Sequence, residues 1–202
     1  MDTARYVVAL ITIVTVPSAI LFWLVVHPYV RLWRRLGPPL SYTLLVVLTV
    51  GVAAVVYLLR EPILSVDFGT NYLLVALAAP IYGAAVWLSL RIRRHLTFRT
   101  FVGVPELSAP SDGGRLLTEG VYARVRHPRY VAVLFGLISV ALFSNYLALY
   151  LLVPVGAAGL WLIVRVEERE LVERFGDEYE MYRDRVPMFV PRRGSMTDLG
   201  PQ

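Results

Sequence analysis

The sequence predicts an all-α integral membrane protein, a bundle of five transmembrane helices whose last two form a short hairpin, followed by a cytoplasmic helical segment. Three observations support this prediction. Hydrophobic residues make up 57% of the 202-residue chain, more than a small soluble domain can hide from water. Long apolar stretches alternate with short polar segments, and the arginines fall mostly on alternate polar segments. We therefore treat residues 1–202 as a single membrane domain.

The first three spans are three apolar runs before residue 91. They cover residues 4–26, 40–59 and 72–90, and each can cross about 30 Å of hydrocarbon as a helix. The first run is too long for a signal peptide, and no small-x-small cleavage site follows it, so we expect a retained span. Residues 1–90 are thus assigned to three N-terminal spans and residues 91–129 to a cytoplasmic connector.

The fourth apolar stretch, residues 130–164, is too long for one span and slightly short for two full spans with a turn. Its only polar break is FSNY at 143–146, and Ser-Asn is a plausible turn. We predict two short helices, 130–143 and 146–167, with Pro154 kinking the second. Residues 130–191 then form the hairpin and a C-terminal cofactor-binding segment, and residues 192–202 a flexible tail.

The distribution of arginines decides in favour of the hairpin. Five crossings place eighteen of the twenty arginines on one side, which the positive-inside rule makes the cytoplasmic side. A single crossing after Tyr130 would place seven C-terminal arginines outside. The hairpin returns the chain to the face it left, so residues 126–130 and 165–171 meet there. We expect a multi-pass protein of the plasma (inner) membrane with a site facing the cytoplasm.

Several side chains at this face are suited to binding a small cation. His127 can donate and accept hydrogen bonds, and Tyr122 and Tyr130 offer aromatic rings and hydroxyls. Glu167 and Glu168 end an apolar helix, where ionised acids are costly without partners. A carboxylate beside aromatic faces fits a sulfonium or an ammonium through charge pairing and cation–π contact. The plainer alternative is that Glu168 pairs with neighbouring arginines on a solvated helix.

Two segments carry a resemblance to a known family. LLTEGVYARVRHPRY (116–130) and, after the hairpin, EERELVERFGDEYEMYRDRVPMFVP (167–191) resemble the membrane methyltransferases typified by isoprenylcysteine carboxyl methyltransferase, and the related phospholipid methyltransferases. The G-x-Y, R-H-P-x-Y, E-E-x-x-L-x-x-x-F-G-x-E-Y-x-x-Y and V-P elements match in order and spacing, over roughly the C-terminal 80 residues. The resemblance implies S-adenosyl-L-methionine as methyl donor. It also implies a lipophilic acceptor, which is an isoprenylcysteine carboxylate, a phospholipid or a small thiol.

The resemblance also assigns site residues by position. The implied cofactor contacts are Gly114, Arg115, Leu116, Leu117, Tyr122, His127, Pro128, Arg129, Tyr130 and Glu167. Catalytic roles fall on Arg126 and Glu168, and an acceptor-binding role on Arg165. The chain departs from the eukaryotic enzymes at Ile163, where they carry the arginine that binds the acceptor; Arg165 lies nearby on a different helical face. Tyr179 and Tyr182 are either pocket walls or aromatic residues at the membrane interface.

Composition and missing motifs narrow the function classes. The chain contains no cysteine, which excludes disulfides and thiol nucleophiles. The sequence also lacks the glycine-rich turn that would indicate a Rossmann-type enzyme. Membrane topology explains the net charge of +5 better than nucleic acid does, so the expected partners are the bilayer and a lipophilic or lipidated acceptor, with no nucleic acid and no metal. Two alternatives remain: a sterol-reductase-like NADPH oxidoreductase, which shares an R-H-P-x-Y element, and a non-catalytic membrane accessory protein.

Overall fold

The computed structural model describes residues 1–93 and 116–191, and nearly all of this part is helical. Its α-helices are α1 (Asp2–Val26), α2 (Val30–Leu36), α3 (Pro38–Leu58), α4 (Arg60–Ile63), α5 (Tyr72–Arg93), α6 (Pro128–Ser144), α7 (Leu147–Phe175) and α8 (Asp177–Arg185). Two 3₁₀ turns lie at His27–Tyr29 and Gly120–Ala123.

Five of these helices form the membrane bundle. Four of them, α1, α3, α5 and α7, are long and apolar enough to cross a bilayer, and α6 is a shorter apolar helix of 17 residues. The predicted helical membrane bundle is therefore confirmed. The hairpin also forms, with α6 ending at Ser144 and α7 beginning at Leu147. Between them Asn145 adopts a left-handed conformation with φ 56°, which asparagine tolerates better than most residues.

Helix α7 is longer than predicted. It runs 29 residues to Phe175 and includes Pro154, whereas we predicted an end at residue 167. The charged stretch of residues 165–175 contains four glutamates and three arginines. Both are strong helix formers, so the helix continues past its apolar part. It stops at Gly176, whose φ of 53° is a backbone conformation that glycine adopts without strain.

Close helix packing around α7 depends on two glycines. A Cβ at Gly159 would lie 2.8 Å from Ile20 Cγ2 on α1, and one at Gly156 would lie 2.7 Å from Leu137 Cδ2 on α6. Small residues let helix backbones approach closely in membranes. Helix α1 packs on α3, α6 and α7, and α5 packs along α6, so α1 and α6 are the central helices of the bundle.

A buried arginine fastens the hairpin turn to the N-terminus. Arg5 is only 1% exposed; its Nε donates to the Ser144 carbonyl at 3.0 Å and its Nη1 to Asp2 Oδ1 at 3.0 Å. Its Nη2 pairs with Asp67 in the segment before α5, and its guanidinium carbon lies 5.4 Å from the centre of the Tyr146 ring. The start of α1, the segment before α5 and the hairpin turn therefore meet at one end of the bundle.

This arrangement makes the predicted topology testable. The chain contains no cysteine, so single cysteines can be placed at Leu147, exposed beside the hairpin turn, and at Ser195 in the tail. We expect a membrane-impermeant maleimide to label Ser195→Cys only from the cytoplasmic side and Leu147→Cys only from the opposite side. Labelling of both positions from the same side would contradict the five-crossing arrangement.

Candidate active site

The hairpin brings the start of α6 against the charged part of α7. The Tyr130 hydroxyl donates to Glu167 Oε2 at 2.7 Å. His127 lies between the two glutamates, with Nε2 at 3.1 Å from Glu168 Oε1 and Nδ1 at 3.7 Å from Glu167 Oε2. His127 is 5% exposed, whereas the Glu167 side chain is 31% exposed. Residues 37 to 41 positions apart in sequence thus form one polar cluster.

Arg126 binds Glu168 and, at the same time, the C-terminal segment, which we define as residues 177–191. Its Nε and Nη2 donate to Glu168 Oε1 at 2.9 and 2.7 Å. Its Nη1 donates to the Arg183 carbonyl at 2.9 Å and also to the Val186 carbonyl. Both charged side chains are only 9% exposed. All three nitrogens of the guanidinium therefore contact protein groups, and the pair connects the segment just before α6 to α7 and to the end of α8.

The C-terminal segment is held against the cluster by further hydrogen bonds. The backbone NH groups of Arg126 and His127 donate to the carbonyls of Pro187 and Met188 at 2.9 and 3.1 Å. The Tyr182 hydroxyl donates to the Tyr122 carbonyl at 2.7 Å. A buried apolar cluster supports these bonds and contains Leu116, Tyr179, Tyr182 and Val186. Tyr179 and Tyr182 are both buried in this cluster, and a role as walls of a ligand pocket stays a prediction.

Tyr122 lies beside Glu167 and Arg129. Burial, and after it the negative charge of Glu167, raises the pKa of Tyr122 to about 12, while Arg129 acts in the opposite direction. A phenol with this pKa stays protonated throughout the physiological range. Tyr122 therefore keeps its hydroxyl proton, so the hydroxyl can donate a hydrogen bond.

The remaining predicted site residues fall in different places. Pro128 is buried at the first position of α6, and Leu117 is partly buried. The Arg129 guanidinium carbon lies 5.2 Å from the centre of the Trp23 ring on α1. Arg165 is exposed, with its guanidinium carbon 5.8 Å from the centre of the Trp161 ring, so the structure does not bring it to the cluster. Gly114 and Arg115 lie outside the described residues.

A large cavity begins at the polar cluster and extends between α1, α3, α5, α6 and α7. Its volume is about 1100 Å³, and Tyr130, Ile163, Arg129 and Arg93 are among its lining residues. Ile163, where the eukaryotic enzymes carry an arginine, is 1% exposed. Sequence reasoning missed this cavity because α1 and α3 supply much of its wall. The serines and threonines inside these spans were the available indication.

Fold and site together define an integral membrane helical protein in which a polar cluster meets an apolar cavity. The model of the phospholipid methyltransferase family matches residues 73–178. The chain belongs to this family.

Three curated relatives match over shorter stretches. The protein-S-isoprenylcysteine O-methyltransferase of Schizosaccharomyces pombe is 40% identical over 81 residues, 38% of this chain and 33% of the relative. Methanethiol S-methyltransferase 1 of Bradyrhizobium diazoefficiens is 32% identical over 82 residues, 41% of this chain and 28% of the relative. A cobalt-zinc-cadmium resistance protein of Cupriavidus metallidurans is 33% identical over 78 residues, 38% of this chain and 36% of the relative. The matches thus span about a third of each relative. No solved structure matches the chain.

Proposed function

We propose that the protein is an S-adenosyl-L-methionine-dependent methyltransferase that acts on a lipophilic acceptor, with its site at the cytoplasmic face of the plasma (inner) membrane. The observation that carries this proposal is the position of Tyr130. Its hydroxyl donates to Glu167 at 2.7 Å, while the same side chain lines the 1100 Å³ cavity. One residue therefore joins a polar pocket for a charged cofactor to an apolar space for an acceptor from the bilayer.

The residues around Tyr130 fit the proposed methyl donor. That donor carries a sulfonium, an ammonium, a carboxylate and an adenine ring. The partly exposed carboxylate of Glu167 suits its cationic groups or its ribose hydroxyls, and Arg129 suits its carboxylate. The rings of Tyr122 and Tyr130 supply faces for a cation or for adenine.

The chain's own residues act by positioning. When bound, the donor supplies a methyl group whose carbon–sulfur bond breaks as the acceptor's electron pair forms the new bond, leaving the sulfur neutral. Holding the reacting atoms in line accounts for much of the rate enhancement. An ionised acceptor has no proton to lose and therefore needs no base. A thiol or amine acceptor must lose a proton, and His127 and Glu167 are the groups placed to take it.

The predicted catalytic roles of Arg126 and Glu168 stay predictions. Their contacts favour positioning, because Glu168 holds His127 and Arg126 holds the C-terminal segment. The predicted acceptor contact of Arg165 also stays a prediction. In the structure its guanidinium lies over the Trp161 ring. The acceptor classes considered for this site are an isoprenylcysteine carboxylate, a phospholipid and a small thiol.

Calorimetric titration of the purified protein separates the functional alternatives. We expect S-adenosylhomocysteine to bind and NADPH to give no heat above dilution. Binding of NADPH alone would replace the proposal with a reductase, and binding of neither would favour a non-catalytic accessory protein.

A further inference from the structure

We propose that Trp23 of α1 is a positioning residue, which holds the Arg129 guanidinium beside the polar cluster for the carboxylate of the methyl donor. This inference rests on the proposed function and adds to that site a residue from the N-terminal helix. The family model matches residues 73–178, so Trp23 lies outside the part of the chain that carries the family's pattern.

The Trp23 ring and the Arg129 guanidinium are stacked on one another. The guanidinium carbon lies 5.2 Å from the centre of the ring, within the roughly 6 Å over which an aromatic face attracts a cation. Both side chains are partly buried and line the cavity, and the attraction is stronger where apolar walls exclude water. The stack therefore restricts a long side chain that has several rotatable bonds.

The position of the Trp23 ring is fixed by the packing of α1. Ile20 meets Gly159 of α7, where a Cβ would lie 2.8 Å from Ile20 Cγ2, and residues three apart share a helix face. The close approach of the two helices thus brings Trp23 inward as well. The Phe22 ring lies edge-on to the Trp23 ring at 89°. Trp23 also packs on a buried cluster that contains Tyr130, Leu160, Ile163 and Val164.

Holding Arg129 against α1 also affects the charge of Glu167. Both charges act on Tyr122, so they lie within electrostatic reach of one another. A guanidinium that left the Trp23 ring would be drawn to Glu167, since opposite charges attract more strongly in a partly buried site than in water. That pairing would neutralise both groups. Trp23 thus keeps one positive and one negative group directed at the carboxylate and the ammonium of the same ligand.

Calorimetric titration of the purified full chain with two ligands tests this role. S-adenosylhomocysteine carries the amino and carboxyl groups of the donor, whereas methylthioadenosine carries its adenosine and sulfur and lacks both groups. We expect Trp23→Leu to weaken S-adenosylhomocysteine binding about fivefold, equivalent to about 1 kcal/mol, and to change methylthioadenosine binding by less than about twofold. Trp23→Phe keeps an aromatic face and should retain most of the affinity. Equal losses for the two ligands would overturn the inference.

A double variant shows whether Trp23 acts through Arg129. Arg129→Gln should weaken S-adenosylhomocysteine binding at least as much as Trp23→Leu does. The double variant should bind as Arg129→Gln alone does, because the stack is already lost, and additive losses would overturn the inference. Trp161→Leu is the matched control, since Trp161 is exposed and the Arg165 guanidinium carbon lies 5.8 Å from the centre of its ring. It should bind as wild type does, and thermal unfolding checks that every variant is folded.

Chemical modification of arginine reports on the stack without any ligand. We expect a glyoxal reagent, followed by mass spectrometry, to modify Arg129 about threefold faster in Trp23→Leu than in the wild type, with an unchanged rate at Arg165. An unchanged rate at Arg129 in a protein that binds S-adenosylhomocysteine would overturn only the role of Trp23. A faster rate in a protein whose wild type does not bind S-adenosylhomocysteine would overturn only the methyltransferase, and Trp23 would remain the residue that holds Arg129.

Discussion

Glu168→Ala is expected to destabilise the folded protein by about 3–5 kcal/mol, the usual cost of removing one partner from a buried ion pair. Glu168 is 7% exposed, and Oε1 accepts bonds from Arg126 and His127. Without it the Arg126 guanidinium stays largely buried with no opposing charge. Because Arg126 also binds the carbonyls of Arg183 and Val186, we expect the C-terminal segment to loosen first. Denaturant unfolding and limited proteolysis measure the two effects.

A double-variant cycle provides the control for this prediction. Arg126→Ala combined with Glu168→Ala removes both charges. The double variant should therefore lose less free energy of unfolding than the two single variants lose in sum, by about 1–3 kcal/mol. Glu178→Ala, an exposed glutamate on α8, should change stability by less than about 0.5 kcal/mol. Additive effects of the two charged variants would mean that the ion pair does not form.

Glu167→Ala is expected to weaken S-adenosylhomocysteine binding at least tenfold, about 1.4 kcal/mol, and His127→Ala to do the same. Glu167 is the less buried of the two glutamates and contacts Tyr130, which lines the cavity. His127 is 3.1 Å from Glu168 and 3.7 Å from Glu167, so its loss removes the group between them. Calorimetric titration of each variant measures the affinity.

Glu167→Gln separates charge from hydrogen bonding at this position. The amide oxygen still accepts the Tyr130 hydroxyl bond but carries no charge, so a loss equal to that of Glu167→Ala would assign the effect to the carboxylate charge. The exposed Glu178→Ala again serves as the matched control and should bind as wild type does. Wild-type affinity in a well-folded Glu167→Ala protein would place the cofactor elsewhere.

The spans and the hairpin could be predicted because single sequence properties determine them. Apolar length sets α1, α3 and α5, and arginine placement requires that the chain return after Tyr130. The end of α7 was predicted eight residues too early, at 167 instead of Phe175. The length of the apolar run marks where a helix leaves the hydrocarbon, whereas the helix itself ends where the backbone dihedral angles leave helical values. Gly176 was the available indication of that end.

The partners of charged residues could not be predicted because they depend on three-dimensional packing. Arg5 interrupts the apolar run of residues 4–26, yet its partner Asp67 lies 62 residues away. A charge inside a span needs a partner, but the sequence does not say which acid supplies it. The juxtaposition of His127, Tyr130 and the two glutamates was predictable from the hairpin. That Glu168, and not Glu167, binds Arg126 depends on which helix face turns inward.

The cavity was the least predictable feature, since it is formed by residues from five helices. Thr15 and Thr49 lie in different apolar runs, and nothing in either run indicates that both line one space. Its lining likewise includes both Arg93 and Arg129, which lie 36 positions apart in the sequence.

Transfer of a labelled methyl group tests the proposed function most directly. The purified chain is incubated with methyl-labelled S-adenosyl-L-methionine and a total lipid extract, and the products are separated by solvent partition and chromatography, with Glu167→Ala run in parallel. We expect a labelled lipid-soluble product with the wild type and at least about tenfold less with Glu167→Ala, matching the affinity loss. A wild-type protein that is folded and binds S-adenosylhomocysteine but labels no lipid-soluble product would contradict the proposed methyl transfer to a lipophilic acceptor.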